Sequence, residues 1–361
     1  MTVMELRPDP AGPADPATLD VLVPNFKRRL SGVTATIVRL VPLQAQQMAL
    51  AAVAPDLPDT LPQIRPMQLV TMPRRGPSGA RVWHARRNTE MLAGLALKHL
   101  LRKRLKMVFT SASQRKHTGY TKWLISRMDH LIATSQKTAG YLERPADVIL
   151  HGIDVSQFTP PTDRAALRAK LNLPDATLIG CYGRIRAQKG TGDFVDAMIQ
   201  VLRDRPNVHG LIMGRATEKY LDYEKALRAQ ISEAGLTDRL HMLPEVPVHE
   251  MADWYRVLDL FVAPQRWEGF GLTPLEAMAC GVPTLATTVG AFPELITKRT
   301  GSLIPPNDTP AMAEAIALYA DDTSLRQTQG KAARAHIEQT FRIEREAEAI
   351  MVIYRRLLDE G

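Results

Sequence analysis

Two carboxylates separated by seven residues, Glu268 and Glu276, stand in the stretch Trp267-Glu268-Gly269-Phe270-Gly271-Leu272-Thr273-Pro274-Leu275-Glu276. Between them lie two glycines and a helix start, since Thr273 offers a cap oxygen and Pro274 a preset φ. A helix amino terminus presents unpaired N–H groups and the positive end of a dipole, which together favour a phosphate. The apolar run Asp259-Leu260-Phe261-Val262-Ala263-Pro264 just ahead suits a buried strand of a parallel sheet. The loop therefore sits at a strand's carboxyl end, where open α/β sheets bind their ligands. A plainer reading exists for one of the carboxylates: Glu276 follows Thr273 by three residues, the spacing of a capping box. Glu268 precedes two glycines and has no helix of its own to cap.

A second loop carries matching positive charge. The strand-like Thr177-Leu178-Ile179-Gly180-Cys181-Tyr182-Gly183 runs into Arg184-Ile185-Arg186-Ala187-Gln188-Lys189-Gly190. The planar fork of Arg184 and the point charge of Lys189 can neutralise different oxygens of a diphosphate, whereas the bland alternative is two solvated loop cations. The loop lacks the order of a P-loop, which disfavours ATP hydrolysis. Together the two loops read as a clamp for a sugar nucleotide.

The wording Arg266-Trp267-Glu268-Gly269-Phe270-Gly271 followed by Pro274-Leu275-Glu276-Ala277-Met278-Ala279 resembles the retaining glycosyltransferases of family 4, which have the GT-B fold. The resemblance implies an α/β chain of two Rossmann-like domains whose parallel sheets face each other across a cleft. It assigns Glu268 to the transferred sugar, Glu276 to the nucleotide ribose, and Arg184 and Lys189 to the donor phosphates, helped by the amides of Gly269, Phe270, Gly271 and Leu272. Val246, in Pro244-Glu245-Val246, takes the position that touches the nucleobase. Of a glycine pair near the donor phosphate only Gly32 is present, beside Ser31, and a simple helix-entry glycine is the alternative. His84, at a predicted strand end, matches a histidine that contacts the sugar; the alternative is a histidine hydrogen-bonded within the structure. Ser111, Ser113 and Arg115-Lys116-His117 follow another strand end and are acceptor-side candidates. Glu294, beside Pro293, is read as a structural cap.

Chemistry implied by the resemblance is transfer of a hexose with retention, without a bound metal or other cofactor, the leaving phosphate itself accepting the acceptor's proton. The sequence is most similar to bacterial members that build the lipopolysaccharide core, with mannose from GDP-mannose as the expected unit. The alternatives are a glucosyltransferase of the glycogen or sucrose type using ADP- or UDP-glucose, a GT-B nucleotide-sugar epimerase, and a catalytically silent binding partner.

The elements that must position these residues follow from the whole chain. Its 361 residues, 45% of them hydrophobic, suffice for two domains with a core each. Strands are predicted at 19–24, 48–53, 68–72, 80–84, 107–110, 130–134 and 147–150, with helical patterns between several, which means a doubly wound parallel sheet. His151-Gly152-Ile153-Asp154 with Pro160-Pro161 punctuates the chain and is similar to the family's interdomain segment. The expected domains are 1–158, the acceptor domain, with a final helix 342–361 packing back on it, and 159–341, the donor domain. A helix from Val33 is expected to be interrupted or restarted at Pro42.

Through Phe158 there are 22 Lys/Arg against 11 Asp/Glu, and beyond it 24 against 27, so the net +8 belongs to the first domain. The basic residues cluster at Lys27-Arg28-Arg29, Arg74-Arg75, Arg81 with Arg86-Arg87, Arg102-Lys103-Arg104 with Lys106, and Arg115-Lys116-His117. An anionic lipid-linked acceptor on the inner membrane surface fits, because each Lys/Arg near such a surface is worth about 1 kcal/mol. Nucleic acid does not: no binding motif accompanies the charge, and aromatics make up only 6%. No run is long and apolar enough for a span, and the proline-rich start is not a signal, so the expected place is cytoplasmic and peripheral. Cys181 and Cys280 lack metal-ligand spacing and are expected to be reduced packing residues.

Overall fold

The computed structural model describes residues 14–27, 32–55, 57–58 and 60–360. The proline-rich start through Pro13, Arg28 and Arg29 of the first basic cluster, and Ser31 lie outside the described residues. The chain divides into two compact units, Met1–Leu150 with Ile343–Gly361, and His151–Arg342.

In the first unit, strands β1 (Val21–Pro24), β2 (Leu50–Val53), β3 (Gln63–Ile64), β4 (Arg81–Ala85), β5 (Leu105–Ser111), β6 (His130–Ala133) and β7 (Asp147–Val148) form one sheet. Its order is β3-β2-β1-β4-β5-β6-β7, parallel throughout. β1, β2 and β4 are buried at every position, as strands covered on both faces must be. Successive side chains serve opposite faces. Leu22, Trp83, Met107 and Leu131 enter one core, while Val21, Val23, Val82, Val108 and Ile132 enter the other. The second core is closed by the final helix Ile343–Asp359, through Ile350, Met351 and Tyr354.

Two expectations fail here for local reasons. Residues 68–72 are not a strand: Gln68–Thr71 is a single helical turn in which only Leu69 is buried. The Gln68 carboxamide accepts the Arg65 N–H at 2.7 Å and the Gln68 N–H donates to the Arg65 carbonyl, which winds the chain after the proline. Pro42 does not interrupt its helix either, since Gly32–Ala45 runs through it.

The second unit is a six-stranded parallel sheet of β8 (Thr177–Tyr182), β9 (Val208–Met213), β10 (Leu240–Leu243), β11 (Leu260–Ala263), β12 (Thr284–Thr287) and β13 (Gly301–Ile304), in the order β10-β9-β8-β11-β12-β13. The expected boundary after Phe158 lies too late by eight residues, because the units part between Leu150 and His151. The intervening segment belongs to the second unit by its bonds. Ile153 donates to the Phe341 carbonyl at 2.7 Å and pairs in parallel with Arg342, and the Phe158 ring meets Tyr255. Asp154 ties its own turn, accepting from the Ser156 and Gln157 amides.

Candidate active site

β8 and β11 are neighbours although β9 and β10 lie between them in the chain, so the loops after β8 and β11 leave the same end of the sheet side by side. That is the switch point at which doubly wound sheets hold ligands. Gly183 and Arg184 leave β8, a short 3₁₀ turn spans Ala187–Lys189, and Gly190 starts the helix Thr191–Leu202. After β11, Pro264 opens the loop that ends in the helix Thr273–Ala279.

The two loops are bonded to each other at three points. The Arg266 N–H donates to the Gln188 carbonyl at 3.0 Å. The Arg266 guanidinium forks onto buried Asp193, with Nε to Oδ2 at 2.8 Å and Nη2 to Oδ1 at 2.5 Å. The Lys189 ammonium pairs directly with Glu268 Oε2. Glu268 Oε1 accepts the Gly269 N–H at 3.0 Å, so both carboxylate oxygens are engaged. Its stem fits only because two neighbours lack side chains. A Cβ on Gly271 would stand 3.1 Å from Glu268 Cγ, and one on Gly290 3.1 Å from Glu268 Cβ, both at positive φ.

Glu276 is not half of a capping box closed by Thr273. Thr273 is the first helical residue, and Leu272 holds the cap position with no side-chain bond. The Tyr255 hydroxyl instead donates to Glu276 Oε2 at 2.7 Å. Tyr255 is wholly buried against Tyr182 and Phe261, and burial, reinforced by the Glu276 carboxylate, pushes its phenol well above the usual range. Tyr255 therefore remains a proton donor that fixes the carboxylate. Arg184 is exposed, and its guanidinium makes no hydrogen bond or ion pair among the described residues. Phe270 is buried with the His151 ring edge-on at 4.7 Å. Val246 follows β10, half-buried, at the same carboxyl end of the sheet as these loops.

Gly32 and His84 belong to the first unit. Gly32 begins the helix Gly32–Ala45, where a Cβ would meet nothing within 4 Å and no positive φ demands glycine. His84 is corrected: the structure buries it completely in β4 and satisfies both ring nitrogens, Nδ1 with the Tyr354 hydroxyl at 2.5 Å and Nε2 with Thr110 Oγ1 at 2.6 Å. A ring so occupied is not available to a sugar, and it reads as a tie between β4 and the final helix. Burial first, then Arg86 and His130, hold its pKa well below the usual 6.5. The unfolded chain thus takes up a proton near pH 6.5 that the folded chain refuses, so stability is full above that pH and falls as pH drops toward the folded value. Melting at pH 7.5 and 5.5 is expected to show a shallower acid-side loss in His84→Asn than in the parent; equal losses would remove His84 from the account.

Sequence reasoning missed the Asp193 partner of Arg266 and the Tyr255 partner of Glu276. Arg266 stood in the motif without a role, and nothing in the pattern around Tyr255 marks it. Both cysteines are buried and free, and burial pushes each thiol up to about 12, so neither is a nucleophile. Among the described residues no three His, Cys, Asp or Glu side chains gather as metal ligands, and no helix is long and apolar enough to cross a membrane.

Comparison with known proteins accords with this geometry. The family model for glycosyl transferases group 1 matches residues 163–336, which contain both loops. The chain is 50% identical over 347 residues to the lipopolysaccharide core biosynthesis mannosyltransferase LpsB of Rhizobium meliloti, covering 94% of this chain and 98% of that protein. It is 46% identical to the lipopolysaccharide core biosynthesis mannosyltransferase LpcC of Rhizobium leguminosarum bv. viciae, covering 95% and 98%. The structure of Alr3699/HepE from Anabaena in complex with UDP superposes with a TM-score of 0.82 over 94% of this chain and 100% of that one, at 20% identity, a likeness of fold. On these grounds, and on two parallel α/β units with paired cationic and acidic loops at a switch point, the chain belongs to the group 1 glycosyltransferases, with the GT-B fold.

Proposed function

We propose that this glycosyltransferase moves mannose from GDP-mannose, with retention, onto an anionic, lipid-linked lipopolysaccharide core acceptor at the inner face of the membrane. The observation that carries the chemistry is the joining of Lys189 to Glu268 beside an unpaired Arg184. Mannose and the core acceptor are supported by two relatives named for that activity and matched almost end to end.

In this reading Arg184, Lys189 and the amides from Gly269 to Leu272 meet the diphosphate, where negative charge grows as the sugar departs. These protein cations do what a divalent ion would otherwise do, and no metal or other cofactor is needed. Glu268, steadied by Lys189 and the Gly269 amide, orients sugar hydroxyls. Glu276, held by Tyr255, takes the ribose, and Val246 lies against the base. The leaving phosphate accepts the acceptor's proton.

A panel of GDP-, UDP- and ADP-sugars in thermal shift, followed by transfer of labelled sugar to core acceptor, tests the proposal, because a ligand confined to the folded form raises its melting point. GDP-mannose is expected to give the largest shift and the labelled product; a larger shift with ADP- or UDP-glucose, or isomerised donor in place of product, would overturn it. Tyr255→Phe is expected to weaken nucleotide binding about tenfold, as loss of one bond to a charged group does, and Glu276→Ala by more. Unchanged nucleotide affinity with only a lowered melting point would return Glu276 to a structural role.

A further inference from the structure

The loop after β11 carries one side chain to which the donor chemistry gives no task. Trp267 stands 47% exposed, and among the described residues it is the only aromatic side chain of the second unit left so open to water. A lone exposed apolar residue needs no explanation by itself. The way this one is held does.

Trp267 sits at a bend that is fixed on both sides. Before it, Arg266 donates its N–H to the Gln188 carbonyl at 3.0 Å and forks onto Asp193 at 2.8 and 2.5 Å. After it, Glu268 is paired with Lys189 and accepts the Gly269 N–H at 3.0 Å. Phe270, three residues on, is turned inward and buried. The indole is therefore presented to solvent by an anchored backbone, and a ligand that covers it meets a group whose ordering is already complete.

What can cover it follows from its surroundings. An indole offers a flat apolar face with negative charge above the ring plane. The residues on either side are ionic, Arg266 with Asp193 and Glu268 with Lys189. An occupant must be apolar on one face and able to hydrogen-bond around its rim. A pyranose is built that way: its ring C–H bonds form a weakly positive apolar face, and hydroxyls project from its edge. An acyl chain has no such rim and would leave these charged groups against hydrocarbon. Consecutive Cα atoms stand about 3.8 Å apart, so Trp267 and Glu268 serve neighbouring rings. Glu268 engages the transferred sugar, which leaves to Trp267 the sugar beside it.

We propose that Trp267 is the platform on which the acceptor's sugar ring stacks, the ring whose hydroxyl receives the transferred hexose. The inference rests on the reading of a saccharide acceptor and deepens it by naming the residue that selects a ring by its apolar face. A ring held flat beside the donor sugar is also oriented, and orientation is what brings its hydroxyl to the anomeric carbon.

Titration of the full chain with lipopolysaccharide core oligosaccharide freed of its acyl chains tests it, read by indole fluorescence and by transfer kinetics. The parent is expected to show a saturable fluorescence change that Trp267→Ala lacks. Trp267→Ala is expected to raise the acceptor KM about tenfold, as loss of a stacked aromatic does, with kcat changed far less. Trp267→Phe should recover most of the affinity, whereas Trp267→Leu, apolar but without a ring face, should not. Melting points and the shift given by GDP-mannose should stay at parent values, since the side chain is exposed and faces the acceptor. The fluorescence titration needs no donor, so the two readings fail separately: a parent that binds the oligosaccharide without a GDP-mannose shift would sink the donor reading alone. A parent without a fluorescence change, parental acceptor KM in Trp267→Ala, or full recovery by Trp267→Leu overturns the platform. So does a Trp267 effect seen only with the acylated acceptor, which would assign the indole to lipid.

Discussion

Lys189→Ala is expected to lower kcat/KM by about 10²- to 10³-fold, the usual consequence of removing one preorganised group that meets charge developing in a transition state. Two effects act together. The ammonium no longer neutralises the departing diphosphate, and Glu268 loses the partner that holds Oε2. Glu268 then keeps only the Gly269 amide at 3.0 Å and faces an incoming anion with its charge uncompensated. Lys189→Arg should recover part of the loss, since it restores charge but places a planar fork where a point charge stood. The pair should also be non-additive: in Lys189→Ala with Glu268→Gln, the second change costs less than it does alone, because the carboxylate it removes is by then a liability. The measurement is steady-state kinetics of the four proteins with labelled donor. A Lys189→Ala enzyme within threefold of the parent, or strictly additive losses, would take the diphosphate away from this loop.

What could be read from the chain before the structure follows from how local each feature is. The two loops were legible because their glycines, cations and carboxylates lie within a few residues of one another. The apolar runs of β8 and β11 suit buried parallel strands, and Gly183 and Pro264, which follow them, mark where they end. Partners brought from other elements were not legible. Tyr255 reaches Glu276 across 21 positions and Asp193 reaches Arg266 across 73, and such pairings depend on which strands become neighbours. His84 failed for the same reason. Its place near a strand end was read correctly, but Tyr354, which occupies its ring, arrives from a helix 270 positions later. The turn at Gln68–Thr71 shows the limit of short apolar runs, where strand and helix patterns cannot be told apart by spacing. The expected domain boundary follows Phe158, near the proline pair, whereas the chain changes unit between Leu150 and His151, just ahead of the bond from Ile153 to Phe341.

The contact on which both loops depend most can be broken by one methyl group. Gly190 has φ +70° and sits where a Cβ would lie 1.8 Å from the Pro264 carbonyl oxygen and 2.5 Å from its carbon. The obstacle is backbone, which no rotamer change can move aside. Gly190→Ala therefore meets two costs: about 1 kcal/mol for a left-handed residue that is no longer glycine, and about 1 to 3 kcal/mol for overpacking against the neighbouring loop. A total near 3 kcal/mol lowers the melting point of a unit of this size by about 10 °C. Gly235 supplies the control, with φ +69° and nothing within 4 Å of a Cβ, so Gly235→Ala carries the first cost alone and should lose only about a third as much. The two variants part further in activity. Gly190 directly follows Lys189 and presses on the residue that opens the Glu268 loop, so relief of the clash must separate the loops that the Lys189–Glu268 pair joins. Below its melting point Gly190→Ala should turn over at least tenfold more slowly than the parent, a loss in the range that displacement of a positioned catalytic group brings, while Gly235→Ala should not. Equal melting points for the two variants, or a folded Gly190→Ala enzyme with parental turnover, would mean that the approach of these loops does not set the geometry of transfer.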